Sequence, residues 1–347
     1  MITDAQKELI AIEVIRTLYA QFGKFPEDET NNRNAPFHEA FLHAFSGKLE
    51  GKVVSIPIFI SLASWMHGLN TSLGQSFLEK TAHILCNGEK KEFTTNKRTG
   101  LKISTNQKNI VNRIITELTN GYRKPDLNKE NNECSICEIP NVDATDFIAD
   151  VYFQDDEQIV CIELKTVKPN KGVFKVEKEK VLEAKIALKN IYPDKVIRYF
   201  LAFPFDPLSD TPTGYDKQRF MDYCVGFRKY FAENEFLLSS ESWDFLSGGT
   251  DTMQQLINII NRIATPQFAE KYEFLNNSTN KTTDKNDYIR YLTEWNLNSE
   301  IVLINNETTI SQKVKNNNRL TRKFNQTIFK DGEYNVERMI ELKALIV

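Results

Sequence analysis

Asp150, Glu163 and Lys165 are the residues of this chain whose types and spacing best suit chemistry. They fall in Phe147–Thr166, FIADVYFQDDEQIVCIELKT, which reads as a β-hairpin with its turn at Asp155–Gln158. Side chains alternate faces along a strand, so Glu163 and Lys165, two apart, point the same way. Asp150 lies thirteen residues before Glu163, a separation that such a hairpin closes. Two carboxylates and one ammonium then converge at one end of a small sheet. Hard oxygen ligands of this kind hold Mg²⁺, which relieves charge on a phosphodiester attacked by water. The carbonyl of Leu164 offers a further oxygen. Lys165 is placed to touch the attacking water or to neutralise developing charge, work that suits a point charge on a flexible stem. An E-x-K pair alone carries little weight, because solvent-facing strands alternate such residues by chance. Asp146 competes for the role of first acid, but its seventeen-residue separation from Glu163 suits a longer hairpin. Asp150 is preferred.

The elements around the hairpin must hold these groups in place. Val160, Ile162 and Leu164 form an apolar face, so Glu163 and Lys165 leave a half-buried strand at its polar end. After Gly172, Val181, Ala184, Leu188 and Ile191 recur at helical spacing until Pro193-Asp194, and Val196–Phe203 follows as an apolar strand. Strand, helix, strand is a crossover unit, so this strand should lie parallel to the Glu163 strand. The connection carries Lys168 and Lys171, placed to meet a DNA backbone. The fold class expected is α/β: a mixed sheet flanked by helices, with helical additions at both ends.

Toward the N-terminus, Thr3-Asp-Ala-Gln6 is a capping box opening a helix that Gly23 ends. Ser72-Leu-Gly-Gln75 reads as a second capping box, opening a helix that carries Glu79 and His83, and its free N–H groups could take a phosphate. Lys108–Thr119 reads as a helix and Gly121–Asn141 as an exposed loop. Beyond the crossover, Asp206–Tyr215 is a turn-rich loop, Lys217–Glu233 an amphipathic helix and Met253–Ile263 another helix. Lys217 and Arg219 are candidates for guanine contacts. Past Phe274, NNSTNKTTDKND reads as a linker, and Thr308–Lys330 holds six Lys/Arg and no acid. The division expected is a nuclease domain over 1–275, with a helical part at 1–125 and an α/β core at 126–275, followed by a basic extension at 276–347.

At 347 residues and 41% hydrophobic the chain can bury a full core, and its net charge is only −3. The distribution is uneven. Residues 126–158 hold ten Asp/Glu and one Lys; residues 89–124 hold nine Lys/Arg and three Glu, and 163–198 hold ten and five. An acidic patch between basic flanks suits a hydrolase of phosphate diesters. Five cysteines are odd in number and irregular in spacing, and Cys134-Ser-Ile-Cys137 has only half of a zinc-site spacing. Val53–Met66 is too short to span a bilayer and contains Pro57. These features lead to the expectation of a cytoplasmic protein with reduced thiols and no membrane span.

The pattern Asp150, Glu163, Lys165 resembles the PD-(D/E)xK nuclease superfamily, and more narrowly the type II restriction endonucleases; Ala149 stands where the motif often has Pro. Trp243-Asp-Phe-Leu-Ser-Gly-Gly249 resembles a segment that follows the catalytic core in many restriction enzymes. Ser64–Glu79, SWMHGLNTSLGQSFLE, is similar to the N-terminal region of TdeIII-like restriction enzymes, whose members cut GGNCC. The resemblance implies an Mg²⁺-dependent endonuclease acting on double-stranded DNA as a homodimer, with Asp150, Glu163 and the Leu164 carbonyl as metal ligands. It also implies Glu79 as a helix-borne acid near the metal, and a DNA methyltransferase encoded nearby. The alternatives are a repair or non-sequence-specific nuclease on the same core, and a non-catalytic DNA-binding module.

Overall fold

The hairpin forms the middle of a five-stranded mixed sheet in the computed structural model, which describes residues 1–26, 36–165 and 172–346. The strands are β1 (Glu89–Phe93), β2 (Phe147–Gln154), β3 (Gln158–Leu164), β4 (Val196–Phe203) and β5 (Phe236–Leu238), and they lie in that spatial order. β1, β2 and β3 pair antiparallel, and β3, β4 and β5 pair parallel. The hairpin turns as expected, with the Asp155 amide donating to the Gln158 carbonyl over 3.1 Å. β3 is more central than its alternation suggests: Ile159, Val160, Cys161 and Ile162 are all fully buried. Polar side chains can begin only where this run ends, at Glu163.

By contacts the chain forms two units, Met1–Ile2 with Leu78–Gln255, and Thr3–Phe77 with Leu256–Val347. The first contains the sheet. Its helices include α1 (Leu78–Cys86), α2 (Thr105–Asn120), α3 (Leu127–Cys134), α4 (Val173–Ile191), α5 (Lys217–Tyr223), α6 (Phe227–Tyr230) and α7 (Ser240–Ser247). Residues of α2, α4 and the strands share one hydrophobic core with the aromatic cluster Phe203, Phe220, Phe227, Phe231 and Phe236. The second unit packs helix Asp4–Phe22, capped by Thr3 and Gln6 as expected and ended at Gly23, with C-terminal helices. The amide and hydroxyl of Ser299 donate to the Glu8 carboxylate, and Arg338 pairs with Glu300 at 2.8 Å in the interior.

Five local expectations are corrected. Ser72 does not open a helix; it ends helix Ile56–Ser72, its Oγ accepts from Gln21 Nε2 at 2.7 Å, and the chain continues through a π-helical turn, Leu73–Phe77. A free helix N-terminus for phosphate therefore does not exist there. The supposed loop Gly121–Asn141 contains α3, capped by Asp126, with Glu130 and Cys134 buried. Lys217–Glu233 is broken into α5 and α6 at Gly226, whose φ of +89° suits glycine. β5 follows where no strand was expected. The polar run after Phe274 holds helices Asn280–Thr283 and Lys285–Glu294, the latter anchored by the fully buried Tyr288 and Leu292.

Candidate active site

Asp150 and Glu163 meet because of strand register. Val151 pairs with Ile162, so the next positions, Asp150 on β2 and Glu163 on β3, stand opposite one another and share a face. The Leu164 amide donates to Asp150 Oδ2 over 2.9 Å, which fixes that carboxylate. Lys165 follows Glu163 on the same face, and its Nζ lies 2.5 Å from Glu163 Oε1. The trio expected from the hairpin is thus assembled.

α4 adds two charges that sequence reasoning did not single out. Lys165 Nζ lies 3.0 Å from Glu177 Oε1, and Lys180, one turn on, pairs with both Glu163 and Glu177. Two carboxylates and two ammoniums therefore alternate around a closed circuit. The Tyr199 hydroxyl, on β4, donates to Glu163 Oε2 at 3.4 Å. The signal available in the sequence was the i, i+3 pair Glu177/Lys180 in the helix immediately after the hairpin.

On the other side of Asp150, Glu79 of α1 is present but reaches Asp150 through a lysine. Lys90 Nζ lies 2.9 Å from Glu79 Oε2 and 3.6 Å from Asp150 Oδ1. His83, one turn beyond Glu79, donates from Nε2 to the backbone carbonyl of Asp150 at 2.6 Å, so it binds the strand and does not pair with Glu79. The rival acid Asp146 is occupied elsewhere: its two oxygens accept from the Thr95 amide and hydroxyl, both at 3.0 Å.

These surroundings set the charge states. Burial raises the Asp150 pKa above the usual aspartate value, the Leu164 amide opposes this, and the neighbouring Glu163 charge adds to it. Burial also works to raise Glu163, but Lys180 and Lys165 outweigh it and hold the carboxyl below its ordinary value. Lys165 is the mirror case, since burial would lower it but Glu163 and Glu177 push it up. It stands as a firm ammonium.

The donor set fits a hard divalent cation. Asp150 and Glu163 offer carboxylate oxygens at opposed positions of neighbouring strands, the hard donors such a cation takes. Among the described residues no three His, Cys, Asp or Glu side chains are gathered closely enough to hold a metal on their own; Lys90, Lys165 and Lys180 stand between the carboxylates. The same holds for the CxxC segment, where Cys134 is buried and Cys137 exposed.

The expected DNA contacts fare unevenly. Lys168 and Lys171 lie outside the described residues. Lys217 is turned inward, with Nζ 2.7 Å from Glu241 Oε1 and donating to the carbonyls of Glu233 and Phe236. Arg219 is exposed and donates to the Leu208 carbonyl. Neither pairs with the trio. In the basic stretch Thr308–Lys330, Arg319 and Lys323 form ion pairs with Glu341 and Glu337.

Comparison with known proteins decides the family. A family model described as "Type II restriction endonuclease, HinfI" matches residues 2–264. The chain belongs to the HinfI family of type II restriction endonucleases. It is also 39% identical over 360 residues to the type II restriction enzyme MjaII of Methanocaldococcus jannaschii, an alignment spanning 97% of this chain and 96% of that one. No solved structure matches it. The family match covers the whole sheet and every charged group of the cluster around Asp150, and as a restriction enzyme the protein acts on double-stranded DNA. No helix among the described residues is long and apolar enough to cross a membrane.

Proposed function

We propose that this endonuclease hydrolyses DNA phosphodiesters in the manner of the PD-(D/E)xK superfamily, with Mg²⁺ held by Asp150, Glu163 and the Leu164 carbonyl, and with Lys165 beside the attacking water. The observation that carries the reading is the register that sets Asp150 opposite Glu163, with Lys165 Nζ 2.5 Å from Glu163. Mg²⁺ bound there would supply charge relief at the phosphate and at the leaving oxygen. The protein's own part follows from its charge states. Lys165 is held as an ammonium by Glu163 and Glu177, so it orients the water and stabilises developing negative charge; it does not remove a proton as a neutral amine would. Glu177 and Lys180 keep Glu163 and Lys165 in position, and Glu79 supplies a further acid on the Asp150 side.

The remaining elements come from the resemblance to type II restriction endonucleases, a short palindromic site read by a homodimer whose two-fold axis matches that of the DNA, and from the TdeIII-like segment, the site GGNCC. A DNA methyltransferase acting on the same site would protect the host. The test is digestion of a sequenced phage genome with Mg²⁺, with and without EDTA. The expected result is discrete fragments ending at GGNCC, abolished by EDTA. Glu163→Ala and Lys165→Ala should each lower the cutting rate by roughly 10²-fold or more, the scale of a lost catalytic group, while DNA binding persists. A smear would favour a non-sequence-specific nuclease, cutting that survives EDTA or Glu163→Ala would overturn the metal-site assignment, and cutting that survives Lys165→Ala would overturn the role of Lys165.

A further inference from the structure

Lys90 is put beside Asp150 by the backbone. Along β1 the register runs from Glu89 opposite Tyr152 to Lys91 opposite Ala149. Two steps on β1 thus match three on β2, so Asp150 and Val151 together oppose the single residue Lys90. This is a β-bulge on β2, a device that re-aims a side chain and recurs next to active sites. It places the Lys90 ammonium between Glu79 and Asp150, at 2.9 and 3.6 Å. The two acids come from different elements, α1 and β2, and Lys90 bridges them.

The charges around Asp150 explain why a cation is needed there. Asp150 is partly buried, faces Glu163 across the hairpin and has Glu79 nearby. Lys165 and Lys180 are committed to Glu163 and Glu177. Among the described residues, Lys90 is the cation paired with Asp150. Its side chain keeps 43% of its exposure, so it is free to swing toward solvent, unlike the more enclosed Lys165 and Lys180.

We propose that Lys90 is a built-in counter-ion that holds Glu79 and Asp150 together before metal loading and competes with the divalent cation for Asp150, so that it sets the affinity of the site for metal. The inference rests on the assignment of Asp150 as a metal ligand. An ammonium and a divalent cation repel one another, so binding at Asp150 displaces Lys90 toward Glu79 or solvent, and that displacement is subtracted from the affinity.

The test is calorimetric titration of the full-length protein with Ca²⁺, together with its melting temperature without metal. Lys90→Met and Lys90→Gln should each bind Ca²⁺ roughly threefold or more tightly, the scale of one partly exposed ion pair removed from competition. Both should melt lower than the parent without metal and gain more on adding Ca²⁺. Lys90→Arg, which keeps the charge, should bind Ca²⁺ within about twofold of the parent. Asp150→Asn separates the two levels of the argument. If it loses Ca²⁺ binding while the Lys90 variants bind no more tightly than the parent, the counter-ion role is overturned and the ligand assignment stands. If Asp150→Asn binds Ca²⁺ as the parent does, both fall.

Discussion

Lys185, on α4, faces the opposite problem from Lys165. Lys165 has two carboxylates and remains charged, and Lys178, completely buried, pairs with Glu130 and Glu235 at 2.5 Å each. Lys185 is 8% exposed. Burial, opposed by Glu235 but reinforced by Lys178, pushes its pKa down from 10.5 to about 8. The unfolded chain therefore keeps a proton that the folded chain gives up between pH 8 and 10.5, and stability rises with pH across that window. Below about pH 8 both states are protonated and the full cost of the buried charge is present. Lys185→Met should stabilise the protein at pH 7 by on the order of 1–3 kcal/mol and flatten the rise toward pH 10. Urea denaturation at pH 7 and pH 9.5 measures both effects; parallel profiles for parent and variant would reject the account. At this scale the sequence was informative wherever local rules suffice. Alternation put Glu163 and Lys165 on one face, and hairpin closure brought Asp150 to them. Lys90 was hidden, because β1 (EKKEF) carries no apolar alternation by which to be read as a strand, and the bulge that aims Lys90 lies on β2. Lys217 looked like a free cation because nothing local shows that Glu241, twenty-four residues on, would take its charge.

The elements that deliver these residues depend on a few tight junctions, and the turn from α1 into β1 is one. α1 carries Glu79 and His83, β1 carries Lys90, and only Asn87 and Gly88 separate them. A Cβ on Gly88 would lie 2.8 Å from Cys86 Sγ and 3.0 Å from the Tyr152 carbonyl. The backbone of β2 cannot yield without disturbing the bulge at Asp150–Val151. Gly88→Ala should therefore cost about 1–3 kcal/mol by overpacking. It should also slow DNA cutting more than a surface substitution of equal stability cost, because it shifts Glu79, Lys90 and Asp150 together. Melting temperature and cutting rate, measured on the same preparation, separate the two effects; an unchanged rate would show that the junction positions nothing. The elements that sequence reading missed share a cause. α3 lacks a strong helical period and is held by the buried Glu130–Lys178 pair, a contact across forty-eight residues. β5 is only three residues, Phe236–Leu238, and is recognisable as a strand through its parallel pairing with β4. The elements read correctly, the Thr3-capped helix, the hairpin, α4 and β4, carry their own caps, breakers and periods.

At the scale of the whole molecule, the composition shift near residue 275 is a local signal, whereas the grouping of Thr3–Phe77 with Leu256–Val347 rests on long-range packing that composition cannot reveal. Within that second unit one aromatic group stands exposed among the described residues. Phe37, Phe41 and Phe45 are 81%, 79% and 51% exposed; Phe37 and Phe41, at i and i+4, share one face of helix Pro36–Leu42, and Phe45 follows in the 3-10 turn His43–Phe45. Helix Pro36–Leu42 has no buried residue. Exposed aromatic rings grouped on so short a segment suit an association surface, and the proposed homodimer would supply an occupant: a second copy placing the same segment against the first. Two copies are also what a double-strand cut at a palindrome needs, one active site per strand. Phe41→Asp should then shift the protein from dimer to monomer in sedimentation at micromolar concentration. On supercoiled plasmid at low enzyme concentration it should accumulate nicked circles where the parent gives linear product, and raising the concentration should restore linear product. A parent that sediments as a monomer even with DNA present, or a Phe41→Asp variant that stays dimeric, would move the interface elsewhere on the chain. The active-site substitutions give the necessary contrast: Lys165→Ala should remain dimeric and cut neither strand. Assembly and chemistry would then be separable in one pair of variants, because the aromatic segment and the proposed active site are built from different stretches of the chain.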